Sequence, residues 1–338
     1  MLKRILCLLV IVFLFCSCSK KNDKEIITFS SWGSVTEVKI INELIKDFEI
    51  KNPDIKILFQ HIPQNYFQKI HLLLASSTAP DVIFINNLYL PVYSNFLLEL
   101  DDIISKDEFY PQSIQVLSYN NKLLAAPRDI SNFVFYYNKN LMGDLNPEWT
   151  FNDFINIVQR PHLRGMWNIS FERDMFYASP YVMTLGFDDG INFYKKLEGT
   201  VAPLPADIGS LTQAQMFLDG KIGLYLSGRW MYPKLKHDAK FPVGIVTFPG
   251  IVPADASGWA ISKTSKHKIA AIKFVKYMSS NESLAYLTET GLIVPARKSL
   301  SSKIKEKAFL DAIKKSKPNV VNKHYNKTRD LLNKKLFR

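Results

Sequence analysis

Several short segments place a flat ring or a fixed charge beside hydrogen-bonding neighbours, next to apolar runs. Trp32 lies in Ser31-Trp32-Gly33, after Ile26–Ser30. Asn86 and Asn87 follow Asp81–Ile85. Arg128, Asp129 and Ser131 precede Phe133–Tyr137, and Arg229 and Trp230 follow Gly228. Gly258-Trp259 and Arg297 complete the set. Indole is a large apolar plate, carboxylates accept protons from hydroxyls, and guanidinium donates in a planar fork. These groups suit a non-covalent grip on a small polar molecule. Each also has a structural reading. Trp32 and Trp259 could fill a core, and Asn86 and Asn87 could make a turn. Arg128 and Asp129 could pair with each other. Arg229 could form a long-range ion pair with Trp230 in the core, and Arg297 suits an ion pair equally well. Asp81, beside Pro80, reads as a cap or turn residue.

Patterns for covalent or metal chemistry are missing. There is no Gly-x-Ser-x-Gly and no P-loop. The six histidines, His61, His71, His162, His237, His267 and His324, share no close ligand spacing. We expect no metal and no cofactor. Tyr136-Tyr137 ends an apolar run in which only one ring can face each side, so core packing is expected. Asn168-Ile169-Ser170 spells a glycosylation acceptor without other support.

The three cysteines are Cys7, Cys16 and Cys18. Lys3 and Arg4 precede an apolar run from Ile5 to Phe15, then Ser17 and Cys18. That order marks a secretory signal, its core too short to span a bilayer about 30 Å thick. Leu14-Phe15-Cys16-Ser17-Cys18 resembles the lipobox of bacterial lipoproteins, which implies cleavage after Ser17 and acylation of Cys18. Residues 19–338 contain no other cysteine for a disulfide or a thiolate.

The chain has 338 residues, 47% of them hydrophobic, and a net charge of +12. That is enough for two separately cored lobes, and no later apolar run is long enough to cross a membrane. Between Lys303 and Arg338 there are twelve Lys or Arg against Glu306, Asp311 and Asp330. The segment suits either a solvated helical surface or attraction to an anionic surface. Nucleic-acid binding is a poor fit for an exported chain without a binding motif.

Strands are expected at 26–30, 55–59 and 81–85, with helices at 36–51, capped by Thr36, and at 66–75 between them. This alternation argues for a mostly parallel α/β sheet. Further strands are expected at 133–137, 222–226 and 243–246. Further helices are expected at 150–159, capped by Thr150, and at 188–197, 210–219, 268–279 and 283–290.

In this order the segments resemble the extracellular solute-binding proteins of ABC importers, in particular the carbohydrate-binding group with the maltodextrin- and glycerol-phosphate-binding proteins. The resemblance is carried by Ile27–Gly33, Ala79–Phe84, Pro127–Ser131 with Tyr136–Leu141, Gly220–Trp230, Ser257–Ser262 and Gly291–Arg297. It implies a two-lobe α/β fold of the periplasmic-binding-protein type (type II), with the ligand cleft between the lobes. The implied division is a signal peptide at 1–17 and an anchor and tether at 18–25. Lobe 1 would take 26–127 plus 262–295, and lobe 2 would take 128–261 plus 296–338. One departure is the stretch 165–189, shorter than expected for a cleft wall.

The resemblance also implies a ligand site drawn from Trp32, Asn86, Asn87, Arg128, Asp129, Ser131, Arg229, Trp230, Gly258, Trp259 and Arg297. It implies a non-enzymatic, monomeric lipoprotein on the outer face of the cytoplasmic membrane, on the periplasmic side if the cell has an outer membrane. Such a protein captures a carbohydrate by hinge closure and delivers it to a permease. Within the class, Arg128 and Arg229 would suit glycerol phosphate or another phosphate, whereas a polyamine would want more carboxylates. In other classes, an exported glycosidase needs a carboxylate pair across the cleft, and an adhesin would bind a macromolecule.

Overall fold

The computed structural model describes residues 24–337. The proposed signal and Cys18 lie outside the described residues. The strands used below are β1 (Glu25–Ser31), β2 (Ile55–His61), β3 (Val82–Asn86), β4 (Ala126–Ser131), β5 (Val134–Asn138), β6 (Trp167–Ile169), β7 (Ile222–Ser227), β8 (Val243–Thr247), β9 (Val252–Ile261) and β10 (Ser316–Pro318). The helices are α1 (Val35–Lys51), α2 (Tyr66–Ala75), α3 (Phe151–Val158), α4 (Met175–Leu185), α5 (Phe187–Leu197), α6 (Lys268–Met278), α7 (Asn281–Glu289), α8 (Lys307–Lys315) and α9 (Tyr325–Leu336).

The first sheet runs β10-β9-β3-β1-β2, with β4 also paired to β9. β1 is parallel to β2 and β3, as the strand–helix–strand alternation requires. β9 is parallel to β10 but antiparallel to both β3 and β4, so the sheet is mixed, with three of its five pairings parallel. The second sheet runs β8-β5-β7-β6. β5 shows why it is buried on both faces. Phe135 and Tyr137 enter one core cluster, while Val134 and Tyr136 enter another. That period-2 split is the strand geometry acting on an all-apolar run. The core role expected of Tyr136 and Tyr137 is what the structure shows.

Three segments lie side by side between the cores. β4 pairs with β9. Ile130 N donates to Val294 O, and Ala296 N donates to Arg128 O. Along β9, Val252 and Ala254 join the cores around the second sheet, and Ala256, Trp259, Ala260 and Ile261 join the core of the first.

Local signals explain most boundaries. α1 starts one residue before the expected position because Ser34, and not Thr36, is its cap, accepting from Glu37 N. Thr150 caps α3 in a reciprocal box with Asp153. Asp81 is structural, as its neighbours suggested: its carboxylate accepts from Thr28 N, Thr28 Oγ1 and Ser265 Oγ. α4 was not expected, because Pro180 lies inside it. Proline removes the amide that would bond Phe176 O, and the Ser179 hydroxyl donates there instead at 2.6 Å. Among the described residues no helix is long and apolar enough to cross a membrane.

Candidate functional site

A cavity of about 580 Å³ opens between the core of the first sheet and the cores around the second. Its lining includes Trp32, Glu37, Asn86, Arg128, Trp230 and Asp255. Asn87, Ser131, Phe176 and Tyr177 also border it. Six expected residues, Trp32, Asn86, Asn87, Arg128, Ser131 and Trp230, therefore meet at one place: Trp32 and Trp230 just after β1 and β7, Asn86 and Asn87 at the end of β3, and Arg128 and Ser131 within β4.

The walls are aromatic. On one side Trp32 stacks on Phe84 with ring centroids 4.2 Å apart. On the other, Trp230 meets Phe133 edge-on at 6.2 Å, and Phe133 packs on Phe176 and Tyr177. Trp230 remains 38% exposed, so its ring is available to a ligand. Tyr136 OH holds the loop by donating to Gly228 O at 2.9 Å. Gly228 must lack a side chain, since a Cβ there would sit 1.8 Å from the Trp230 ring.

Between the walls lies a polar floor. Arg128 is buried, its Nη1 donating to Glu37 and its Nε to Asp129, both at 2.7 Å. Burial opposes its charge, but the Asp129 and Glu37 carboxylates more than offset this, and its pKa is raised. Asp129 also accepts from Ser131 Oγ, Ser257 N and Ser257 Oγ. With its oxygens occupied in this way, Asp129 locks β4 to β9, which corrects its expected role as a ligand acceptor.

Asp255 was missed by sequence reading. Its Oδ1 accepts from Asn87 and from Asn319, each at 2.8 Å. Among the described residues no protein donor reaches its Oδ2. Desolvation is the main cause that lifts its pKa to about 6; Asn87 and Asn319 oppose the rise, and the Asp129 charge adds to it. Asn86 lines the same cavity with a buried Oδ1 that has no partner.

Four expected residues have other roles. Trp259 is 1% exposed and belongs to the first core. Gly258 lets β9 approach β4, because a Cβ there would lie 2.2 Å from Ala126 O. Arg229 is buried and donates to Thr288 O, Ile293 O and Glu306. Arg297 pairs with Glu108 and donates to Ser279 O, its guanidinium over Phe109.

Glu37, Phe176, Tyr177 and Asp255 are among the lining residues that the sequence reading left out. Asp255 carried a usable signal, an ionisable residue inside the run Val252–Ile261. Phe176 and Tyr177 lie in the short stretch 165–189, which thus supplies a wall after all. They stand in the first turn of α4, held by Asp174 accepting from Phe176 N and by Asn333 of α9 accepting from Met175 N. Among the described residues no group of three or more His, Cys, Asp or Glu is placed to hold a metal ion.

The family model for the bacterial extracellular solute-binding protein matches residues 32–285. An ABC substrate-binding protein from Listeria monocytogenes, solved in complex with cycloalternan, has 25% identity and a TM-score of 0.81, covering 93% of each chain. The GacH receptor of Streptomyces glaucescens, studied unliganded and with acarbose, has 20% identity and a TM-score of 0.81, covering 93% of this chain and 92% of that one. UgpB from Mycobacterium tuberculosis, in complex with glycerophosphocholine, has 18% identity and a TM-score of 0.75 over 87% of each chain. An uncharacterized ABC transporter extracellular-binding protein of Pyrococcus horikoshii is 27% identical over 150 residues, spanning 42% of this chain and about a third, 36%, of that protein.

Proposed function

The chain belongs to the bacterial extracellular solute-binding protein family, and from that premise we propose that it captures a carbohydrate in the cleft and delivers it to an ABC permease. The observation that carries this is the pairing of aromatic plates on both walls with a polar floor. A sugar ring has apolar faces and a hydroxyl rim, and Trp32 and Trp230 match the faces while Asn86, Ser131 and Asp255 meet the rim. The mechanism is closure about the three adjoining segments. Ligand touches both walls only when they approach, so its differential affinity favours the closed state. The permease reads that state. The protein is a monomer, catalyses no reaction, and is held to the membrane by triacylated Cys18, since one acyl chain alone anchors weakly.

The test is a thermal-shift screen of the full chain in mild detergent against sugars, glycerol phosphates and polyamines. A ligand that binds only the native state raises the midpoint according to ln(1 + [L]/Kd). A shift with a sugar class supports the reading. A shift only with glycerol phosphates or polyamines, or none at all, overturns it.

A further inference from the structure

We propose that the solute is an amino sugar, its protonated amine donating to Asp255 Oδ2 and Asn86 Oδ1. The inference deepens the carbohydrate reading and rests on it.

The first argument is charge. The chain carries +12 overall, yet among the described residues the charged ones lining the cavity are Glu37, Arg128 and Asp255. Arg128 is committed to Glu37 and to Asp129 directly behind it. The balance at the floor is therefore anionic in an otherwise basic protein. A buried carboxylate without a counter-charge is costly, and a ligand cation relieves that cost.

The same residues argue against phosphate. Arg229 and Arg297, which could have neutralised one, are spent on backbone carbonyls and on Glu306 and Glu108 away from the cavity. A phosphate here would face Asp255 and Glu37, with Arg128, the one cation lining the cavity among the described residues, already paired.

The second argument is hydrogen bonding. Asp255 Oδ2 and Asn86 Oδ1 are acceptors awaiting donors. Both sit where β3 and β9 meet: Asn86 is the register partner of Ser257, two residues beyond Asp255. A primary ammonium offers three N–H donors, so it satisfies such acceptors and supplies charge at once. A quaternary ammonium supplies the charge and no donor. The rings of Trp32, Tyr177 and Trp230 favour a cation near their faces as well as the sugar's C–H faces.

The experiment is titration calorimetry on the full chain in mild detergent at pH 7.5. The probes are glucosamine, galactosamine, mannosamine and the β-1,4 dimer of glucosamine. Each is compared with its N-acetylated form and its neutral parent sugar, and choline serves as the quaternary control. The expected result is that at least one amine binds about tenfold or more tighter than both of its neutral counterparts, as a charge-assisted bond in a desolvated site requires. Asp255→Asn should abolish that preference. Independently of any variant, the wild-type preference should shrink between pH 7.5 and 5. The groups facing Asp255 over that change are Asp129, Tyr325, Asn87 and Asn319, with Arg128 and Glu37 on the same cavity.

Neutral sugars binding as tightly as their amines would overturn the inference and leave the carbohydrate reading intact. A preference that survives in Asp255→Asn, or choline binding tighter than every amine, would also overturn it. Binding of no sugar, charged or neutral, would overturn both.

Discussion

Asn87 and Asp255, 168 residues apart in the chain, are joined by a 2.8 Å hydrogen bond from Nδ2 to Oδ1. Asn87 also exchanges bonds with the backbone of Ala256, its N donating to Ala256 O and its Oδ1 accepting from Ala256 N. One asparagine thus orients the strand that carries the cavity's acidic group. Asn87→Ala should weaken ligand binding through the loss of this orientation although its own side chain is almost fully buried. Calorimetry would check this, with about a fivefold or larger rise in Kd expected from an unpaired buried acceptor.

Asp255 should make stability depend on pH in an unusual direction. Its pKa is raised from 3.8 to about 6 by burial, so the folded chain holds the proton more tightly than the unfolded chain. Its contribution is most favourable below pH 3.8 and is lost as pH rises towards about 6, by about 3 kcal/mol in all. Asp255→Asn should therefore raise the melting temperature at pH 7.5 by about 2–5 °C. A lower melting temperature for the variant at that pH would contradict this account.

Trp230→Ala should weaken binding by about tenfold or more with little change in melting temperature, since the ring is partly exposed and mainly a plate. Gly228→Ala should reproduce much of that loss, because the new methyl displaces the same ring. Tryptophan fluorescence on ligand addition would follow both variants.

Asp129→Ala should act on stability. It removes one of the two carboxylates that hold Arg128, leaving Glu37, and releases Ser257, and a broken buried pair costs up to about 3–5 kcal/mol. Trp259→Ala should cost about as much for a different reason, the cavity left in the first core. Denaturant unfolding would measure both.

Much of this architecture was legible in the residues. The 66–75 helix could be placed by spacing, and the strands at 25–31, 55–61 and 82–86 by their apolar runs. Positions just after expected strands pointed to Trp32, Asn86 and Trp230, and the resemblance of Pro127–Ser131 pointed to Arg128. What sequence could not supply was direction. Trp259 and Trp230 share the same local chemistry, yet the alternation of β9 turns one ring into the core, while the turn after Gly228 leaves the other partly open. Arg128 and Arg229 looked alike as ligand cations, and only distant partners, Glu37 for one and Ile293 O for the other, separate them. α4 stayed hidden because Pro180 breaks the local pattern and its repair comes from Ser179.

The course of β9 gives the molecule economy of parts. Its ten residues leave the second set of cores at Ala254 and enter the first at Ala256, and Asp255 is the residue between. On the proposed closure, the group proposed to meet the solute is thus set where the strand passes from one set of cores to the other. A ligand that pulls on Asp255 would then act at the crossing itself, with no relay between binding and movement, and on that proposal a substitution there is expected to alter both affinity and the resting angle of the two sets of cores.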